Sequence, residues 1–399
     1  MMRLLKRRWV RVLGGLALLL VLGVGVALAT GWTAMGTTAT GERLARMQAS
    51  PQWHAGHFEN PIARQEPPFF ATLWRWITAG SPHSVPASPP PMVARKASEF
   101  AELPADGLRV TWLGHSTLLV EIDGRRVLFD PVWGERTSPF TWMGPRRFHA
   151  PPLALDDLPP LDAVVISHDH YDHLDYPTIQ ALARRDVRFI VPLGVGAHLT
   201  YWGIPAERVT ELDWWGEHAL GDVRLVATPA RHFSGRFLND KDKTLWAGFA
   251  LVGPTHRAFY SGDTAMHPAF TDIGQRLGPF DVTMIESGAY NQAWADVHLG
   301  PEQAVEAHQM VGGKVMLPVH WGTFDLALHG WTEPMERVLV AAQAAGVTVV
   351  TPRPGESVSP LAPAPPSRWW PSLPWETEAQ APARSSGLPP KTGLTPAAG

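Results

Sequence analysis

The sequence predicts a layered α/β sandwich. Between Leu108 and Pro352, short apolar runs come first as meanders and later alternate with helix-periodic segments. The histidines and carboxylates of this region fall at the ends of those runs, where open α/β sheets gather functional groups. With 45% hydrophobic and 18% charged residues, the middle of the 399-residue chain can build a substantial core. A net charge of −3 and the lack of a basic stripe argue against a nucleic-acid partner. Cysteine is absent, so disulfides and thiolate metal sites are excluded, and any metal must sit on His, Asp or Glu.

The elements follow from pattern and punctuation. Leu108–Leu113, Thr117–Ile122 and Arg125–Asp130 read as strands, and Asp123-Gly124 between the last two is a two-residue hairpin signal. Val164–Ser167 is an apolar strand, Pro177–Arg184 a helix and Phe189–Pro192 a strand. Val223–Thr228, Leu245–Val252, Arg257–Ser261 and Val282–Ile285 continue as strands. Pro301–Met310 is a helix with Pro in its first turn, Val315–Val319 a strand, Glu333–Ala344 a helix and Val347–Val350 the last strand. No internal repeat of fixed period is visible.

Outside this region, residues 1–30 read as a membrane anchor or a signal segment. Arg3, Lys6, Arg7, Arg8 and Arg11 precede an uncharged run from Val12 to Ala29, which as a helix spans roughly 27 Å, about one hydrocarbon core. The basic flank stays cytoplasmic, which places the rest of the chain on the extracytoplasmic face of a bacterial inner membrane. Ala27-Leu28-Ala29 keeps cleavage and a secreted or periplasmic product open. Residues 31–107 read as an arm with a short helix from about Thr40 to Gln48 and a Pro-rich linker over 82–91. Residues 353–399 read as a Pro/Ala-rich tail, disordered from Ser359 onward.

The most informative segment is Ser167-His168-Asp169-His170-Tyr171-Asp172-His173-Leu174-Asp175. Three imidazoles this close repel one another if protonated, and a divalent cation resolves the crowding by needing them neutral. Later strand ends carry His232, Asp263, His298 and His320. A lone histidine at such a place is usually a structural hydrogen-bonder. Together with the cluster, these residues point to a metal hydrolase.

The pattern resembles the metallo-β-lactamase superfamily, whose signature is His-x-His-x-Asp-His followed by a distant His, Asp and His. Within it, the chain is similar to the family of N-acylphosphatidylethanolamine-hydrolysing phospholipase D and its bacterial relatives. Trp112-Leu113-Gly114-His115-Ser116, Phe129-Asp130-Pro131, Met143-Gly144-Pro145-Arg146-Arg147-Phe148, Gly262-Asp263-Thr264, Gly288-Ala289-Tyr290 and His320-Trp321-Gly322-Thr323-Phe324 carry the likeness, which runs from about Asn60 to Pro352.

The resemblance implies an αββα sandwich of two mixed sheets flanked by helices, with residues 108–352 as the catalytic domain. It implies two zinc ions, with manganese or iron as alternatives. One takes His168, His170 and His232, the other Asp172, His173 and His320, and Asp263 bridges them. Metal-bound hydroxide is then the nucleophile for a phosphodiester in a phospholipid, Asp172 orients it, and His298 occupies the family's substrate-phosphate position. Tyr171 either lines the same pocket or packs beside it. His115 falls outside the metal shell as a hydrogen-bonder, Asp130 orients a ligand histidine, Asp169 points away and Asp175 caps the following helix. Arg146 and Arg147 meet a phosphate head group or lie in a solvated loop. Two departures concern the substrate: Glu286 stands where the phospholipase has an uncharged residue, and Arg231 where the mammalian enzyme has an amide. A lactonase or other phosphoesterase of the same fold, and a metal-binding envelope protein without turnover, are the alternatives.

Overall fold

The computed structural model describes residues 2–65 and 69–388. Strands β1 (Leu108–Trp112), β2 (Leu118–Ile122) and β3 (Arg125–Phe129) form the expected meander. Asp123 and Gly124 both have positive φ, 44° and 84°, as a type I′ hairpin requires. Side chains then alternate between two layers. Leu118, Val120 and Ile122 join the core between the sheets, whereas Leu119 faces the outer layer. The same division holds for Val127 and Phe129 against Leu128, and for Ile190 against Phe189 and Val191. Burial on both faces explains why these strands read as continuous apolar runs.

The first sheet continues with β4 (Ala163–Val165), β5 (Arg188–Pro192) and β6 (Val209–Leu212). The second contains β7 (Glu217–Leu220), β8 (Val223–Thr228), β9 (Gly248–Val252), β10 (Arg257–Tyr260), β11 (Phe280–Glu286), β12 (Gly313–Val319) and β13 (Thr348–Val349). Strand β14 (Ser357–Val358) returns to the edge of the first sheet beside β1. Each sheet has seven strands, in the orders β14-β1-β2-β3-β4-β5-β6 and β13-β12-β11-β10-β9-β8-β7. Followed from β14 and from β7 respectively, each runs through three antiparallel pairings and then three parallel ones. The halves therefore share a topology that no sequence repeat betrays.

Helices α1 (Met2–Met35), α2 (Gly41–Gln48) and α3 (Phe69–Thr78) belong to the N-terminal region, α4 (Tyr176–Leu182) and α5 (Gly196–Tyr201) to the first half, and α6 (Ala269–Leu277), α7 (Pro301–Met310) and α8 (Glu333–Ala345) to the second. Ile179, Leu182 and Leu199 of α4 and α5 pack on the outer face of the first sheet. Asp175 caps α4 by accepting from Thr178 N, as its sequence position anticipates. Strands β6 and β7 and helices α3, α5 and α6 lie outside the elements anticipated from sequence. Strand β7, Glu217-His218-Ala219-Leu220, is a half-exposed edge with little apolar signal.

Helix α1 is, among the described residues, the one helix long and apolar enough to cross a membrane, with mean hydropathy 2.6 at its most apolar window. Its last turn docks on the domain. Met35 is buried, the Trp202 indole donates to Thr33 O (2.6 Å), and Arg236 Nη2 donates to Ala34 O (2.8 Å).

The tail corrects an expectation. Residues 359–388 are not loose but packed along the domain. Trp369 stacks on Trp321 (5.2 Å), which stacks on Trp112 (5.5 Å), and buried Trp370 donates its indole N–H to Glu336 (2.8 Å). Thr351 and Ser367 exchange two hydrogen bonds, and Ser385 bonds to Gln303. A Pro-rich chain needs no ladder to be held once its tryptophans find a cavity. Residues 389–399 lie outside the described residues. Trp370→Ala is expected to lower the unfolding free energy by about 3 kcal/mol, measured by denaturant titration of the purified chain.

Candidate metal centre

Strand β4 ends at Val165, Ile166 N still bonds to Ile190 O, and the chain then turns through the histidine cluster. His173 N and Leu174 N both donate to His170 O, which closes a tight turn and brings the histidine side chains together. Asp263 leaves β10 through Gly262, whose φ is 57° and where a Cβ would lie 2.6 Å from Ala247 O, so the turn requires glycine. His320 follows β12 at φ 65°, and His115 and Asp130 also have positive φ, 51° and 39°. Non-glycine residues seldom accept that region, and a cluster of them marks a site that the fold over-determines.

The geometry centres on one oxygen. Asp263 Oδ2 lies 3.0 Å from His320 Nε2, 3.1 Å from His173 Nε2, 3.7 Å from His168 Nε2, 3.8 Å from His232 Nε2 and 4.0 Å from His298 Nδ1. On one side His170 Nδ1 is 2.8 Å from His168 Nε2 and 3.3 Å from His232 Nε2. On the other, Asp172 Oδ2 is 3.2 Å from His320 Nε2 and 3.4 Å from His173 Nε2. Two donor groups hold the expected ligands: His168, His170, His232 with Asp263, and His115, Asp172, His173 with His320; a third, overlapping group joins Asp263 and His320 to Glu286 and His298. All seven residues expected to bind metal are thus brought together, and Asp263 stands between the groups. His115 keeps its expected place as a hydrogen-bonder of Asp172 (3.0 Å), while its ring also falls within the second donor group.

These residues fit divalent cations. His173 Nε2 and Asp263 Oδ1 are buried and have no hydrogen-bond partner, a costly state that an ion would relieve. Burial, then the neighbouring imidazoles, holds His168 and His232 well below the ordinary histidine range, and burial brings His170 down to about 4. These three are therefore neutral donors. Burial also opposes charge on His173, but Asp263, Asp172 and Asp130 outweigh it and lift that imidazole well above its usual range. The negative charge is concentrated on that second side.

Surrounding groups fix the donors. Asp130 accepts from Ser167 N (2.7 Å), Ser167 Oγ (2.6 Å), the Tyr260 hydroxyl and His173 Nδ1 (2.7 Å), so His173 presents Nε2 inward. His232 donates Nδ1–H to Val297 O (2.8 Å). Asn60 brackets His232, accepting from its N–H (3.1 Å) and donating to its carbonyl (2.8 Å). That arm residue had no sequence signal beyond opening the resembling region. Asp169 does point away from the donors, and accepts from Gly235 N (2.8 Å) and Thr244 Oγ1 (2.8 Å).

His298 stands at the mouth, with Nδ1 donating to buried Glu286 (2.8 Å), which also accepts from Thr264 N (2.6 Å) and Leu299 N (3.3 Å). Burial raises the Glu286 pKa, and His298 moderates it. The two departures from the phospholipase, Glu286 and Arg231, do not pair with each other. Arg231 turns away to Asp296 (3.2 Å), Ala63 O (2.8 Å) and Ser386 O (2.9 Å), joining the arm and the tail behind the His232 loop. A cleft of about 300 Å³ opens beside His298, lined by Arg64, Gln65, Trp76, Phe233, Lys241 and Trp294 among others. Trp76 and Trp294 stack in parallel at 5.9 Å, and the Arg64 guanidinium lies over Phe233. Tyr171 donates its hydroxyl to Arg236 O (2.7 Å) and carries the Arg236 guanidinium on its ring face (4.0 Å). Arg147 is tied to Val132 O and stacks on Phe324, while Arg146 forms an exposed pair with Glu135.

Comparison with known proteins now decides the family. Residues 125–321 match the beta-lactamase superfamily domain. N-acyl-phosphatidylethanolamine-hydrolyzing phospholipase D 1 of Caenorhabditis elegans is 38% identical over 58% of this chain and 69% of its own length. This chain belongs to the metallo-β-lactamase superfamily. An uncharacterized protein of Mycobacterium tuberculosis is 47% identical over 84% of this chain and 91% of its own. Among solved structures, the isothiocyanate hydrolase from Delia radicum gut bacteria shares the fold, at 20% identity and a TM-score of 0.51, over 63% of this chain and 98% of its own. The chain is accordingly a metal-dependent hydrolase.

Asp263→Asn should lose at least one metal per chain, as measured by elemental mass spectrometry. Asp130→Ala, which frees the His173 ring, should weaken metal affinity by about 10- to 100-fold, read by competition with a chromogenic chelator.

Proposed function

We propose that this superfamily member is a dinuclear zinc phosphodiesterase of the phospholipase D type, acting on N-acylphosphatidylethanolamine-like lipids. The observation that carries the reading is the position of Asp263 Oδ2 between two donor groups, beside a cleft that is both cationic and aromatic. His168, His170 and His232 would hold one ion, Asp172, His173 and His320 the other, with Asp263 shared. Two divalent cations bound there supply Lewis acidity and water activation for phosphodiester hydrolysis at neutral pH.

The chain's own groups do the rest. Arg64, itself paired with Asp242 (2.9 Å), and Lys241 place cationic groups at the cleft wall for a phosphate, while Trp76, Trp294 and Phe233 offer apolar walls for acyl chains. Glu286 accepts the Nδ1 proton of His298, which leaves Nε2 available to a phosphate oxygen or the leaving group. Asp172, within the second donor group, would also orient the attacking water. Water adds to phosphorus, the bond to the ethanolamine oxygen breaks, and that oxygen takes a proton. The products are phosphatidic acid and an N-acylethanolamine. The kinship with the Caenorhabditis elegans phospholipase supports this choice of lipid. Helix α1 is read as the anchor that holds the domain at the extracytoplasmic surface of the membrane.

Incubation of the purified chain with a total lipid extract, with zinc, manganese or iron supplied in turn, should yield phosphatidic acid together with N-acylethanolamines by mass spectrometry. Turnover of bis(p-nitrophenyl) phosphate without those lipid products would keep the phosphodiesterase and overturn the lipid. Absence of both would overturn the reading. His298→Ala should lower kcat by about a hundredfold with metal content unchanged, which separates its role from that of the metal donors.

A further inference from the structure

Helix α1 enters the domain without a linker. Its apolar run ends at Ala29, yet the same helix continues to Met35, whose side chain is buried. Trp32 is therefore only about 4.5 Å along the axis from the end of the run, and whatever touches Trp32 lies at that level. Phe237 meets Trp32 edge-on at 6.0 Å. Phe140 packs against Gly31, where a Cβ would stand 2.5 Å from its ring, and the Trp142 ring lies tilted beside Phe140 at 5.4 Å. The loop tips next to these contacts are apolar and bare: Leu238 is 93% exposed, and Trp142 and Met143 are about half exposed. Tyr201, also exposed, ends α5, directly before the Trp202 that holds Thr33.

Such residues cost solubility on a surface that faces only water, and aromatic side chains favour the head-group region of a bilayer. We propose that Trp32, Trp142, Met143, Tyr201, Phe237 and Leu238 form a lipid-docking collar at the foot of α1, seated in the head-group layer. This rests on the reading of α1 as a membrane span. Continuity with that span selects the occupant, because a rigid helix fixes the collar's height.

A buried arginine ties the collar to the metal loop. Arg236, next to Phe237 and Leu238, donates to Ala34 O at the end of α1 and to Leu174 O (2.9 Å) and Asp169 O in the histidine loop. Its guanidinium covers Tyr171, which explains that residue as a link between collar and loop rather than as a pocket wall. The end of α1 and the loop carrying His168 to His173 are thus held by the same guanidinium.

The absence of cysteine makes the test clean. Leu238→Cys and Trp142→Cys each carry a nitrobenzoxadiazole label on the full chain in phosphatidylcholine bilayers, with Val340→Cys on exposed α8 as the control. Labels at 238 and 142 should lose emission severalfold with nitroxide-labelled phosphatidylcholine and resist aqueous iodide, while the label at 340 does the reverse. Iodide quenching at 238 and 142 equal to that at 340, with the chain still floating with the bilayer, would overturn the collar and leave the span intact. Shielding from iodide without nitroxide quenching would assign the surface to a second protein copy and also overturn it. A chain that fails to float would remove the span on which the collar depends. None of these readouts depends on the hydrolysed lipid, so the proposed activity stands or falls separately.

Discussion

Imidazoles cannot crowd into one small buried volume unless something holds them neutral or balances their charge. Around Asp263 Oδ2, five ring nitrogens lie within 4.0 Å. Almost every unusual feature nearby serves that crowding. The left-handed backbone at His115, Asp130 and His320 turns their side chains into the site, and Gly262 does the same for the carboxylate itself. Asp130 and Val297 O each accept a hydrogen bond from the outer Nδ1 of a ring, so that the Nε2 atoms of His173 and His232 turn inward, while Glu286 holds His298 through its Nδ1. Neutral imidazoles gather at His168, His170 and His232, whereas the Asp172 carboxylate lies beside His173 and His320.

The donors come from both halves of the sandwich. His168 to His173 lie after β4 in the first sheet, and His232, Asp263 and His320 after β8, β10 and β12 in the second. Each half supplies an incomplete set. The interface between the sheets, with Val120, Phe129, Phe249 and Tyr260 in its core, is therefore also what assembles the metal site. Packing defects remote from the donors reach the chemistry through this shared interface, because close-packed cores transmit displacement.

Much of this was legible in the sequence, for specific reasons. The His168–His173 segment is dense enough to betray its role locally, and Asp263 and His320 follow apolar strands whose ends converge by the rules of sheet topology. The hairpin at Asp123-Gly124 is encoded by two residues that accept positive φ. What was not legible depends on distant partners. Arg231 read as a departure concerning the substrate, but its partners at Ala63, Asp296 and Ser386 come from three separated segments. The tail's composition argues for disorder, and only the cavity offered by Trp112, Trp321 and Glu336 reverses that. Helix α3 and the stacking of Trp76 on Trp294 leave no periodic trace long enough to read.

The tail has a consequence for the order in which the site can mature. Ser386 closes on Asp296 and on Arg231, next to the loops that carry His298 and His232. Residues 385–386 are synthesised after every donor residue. Until they emerge, those loops lack their rear support, so early metal capture would meet a looser, less selective set of histidines. Closure of Ser386 on Asp296 and Arg231 therefore comes after synthesis of every candidate donor, and it ties the rear of the loops that carry His232 and His298.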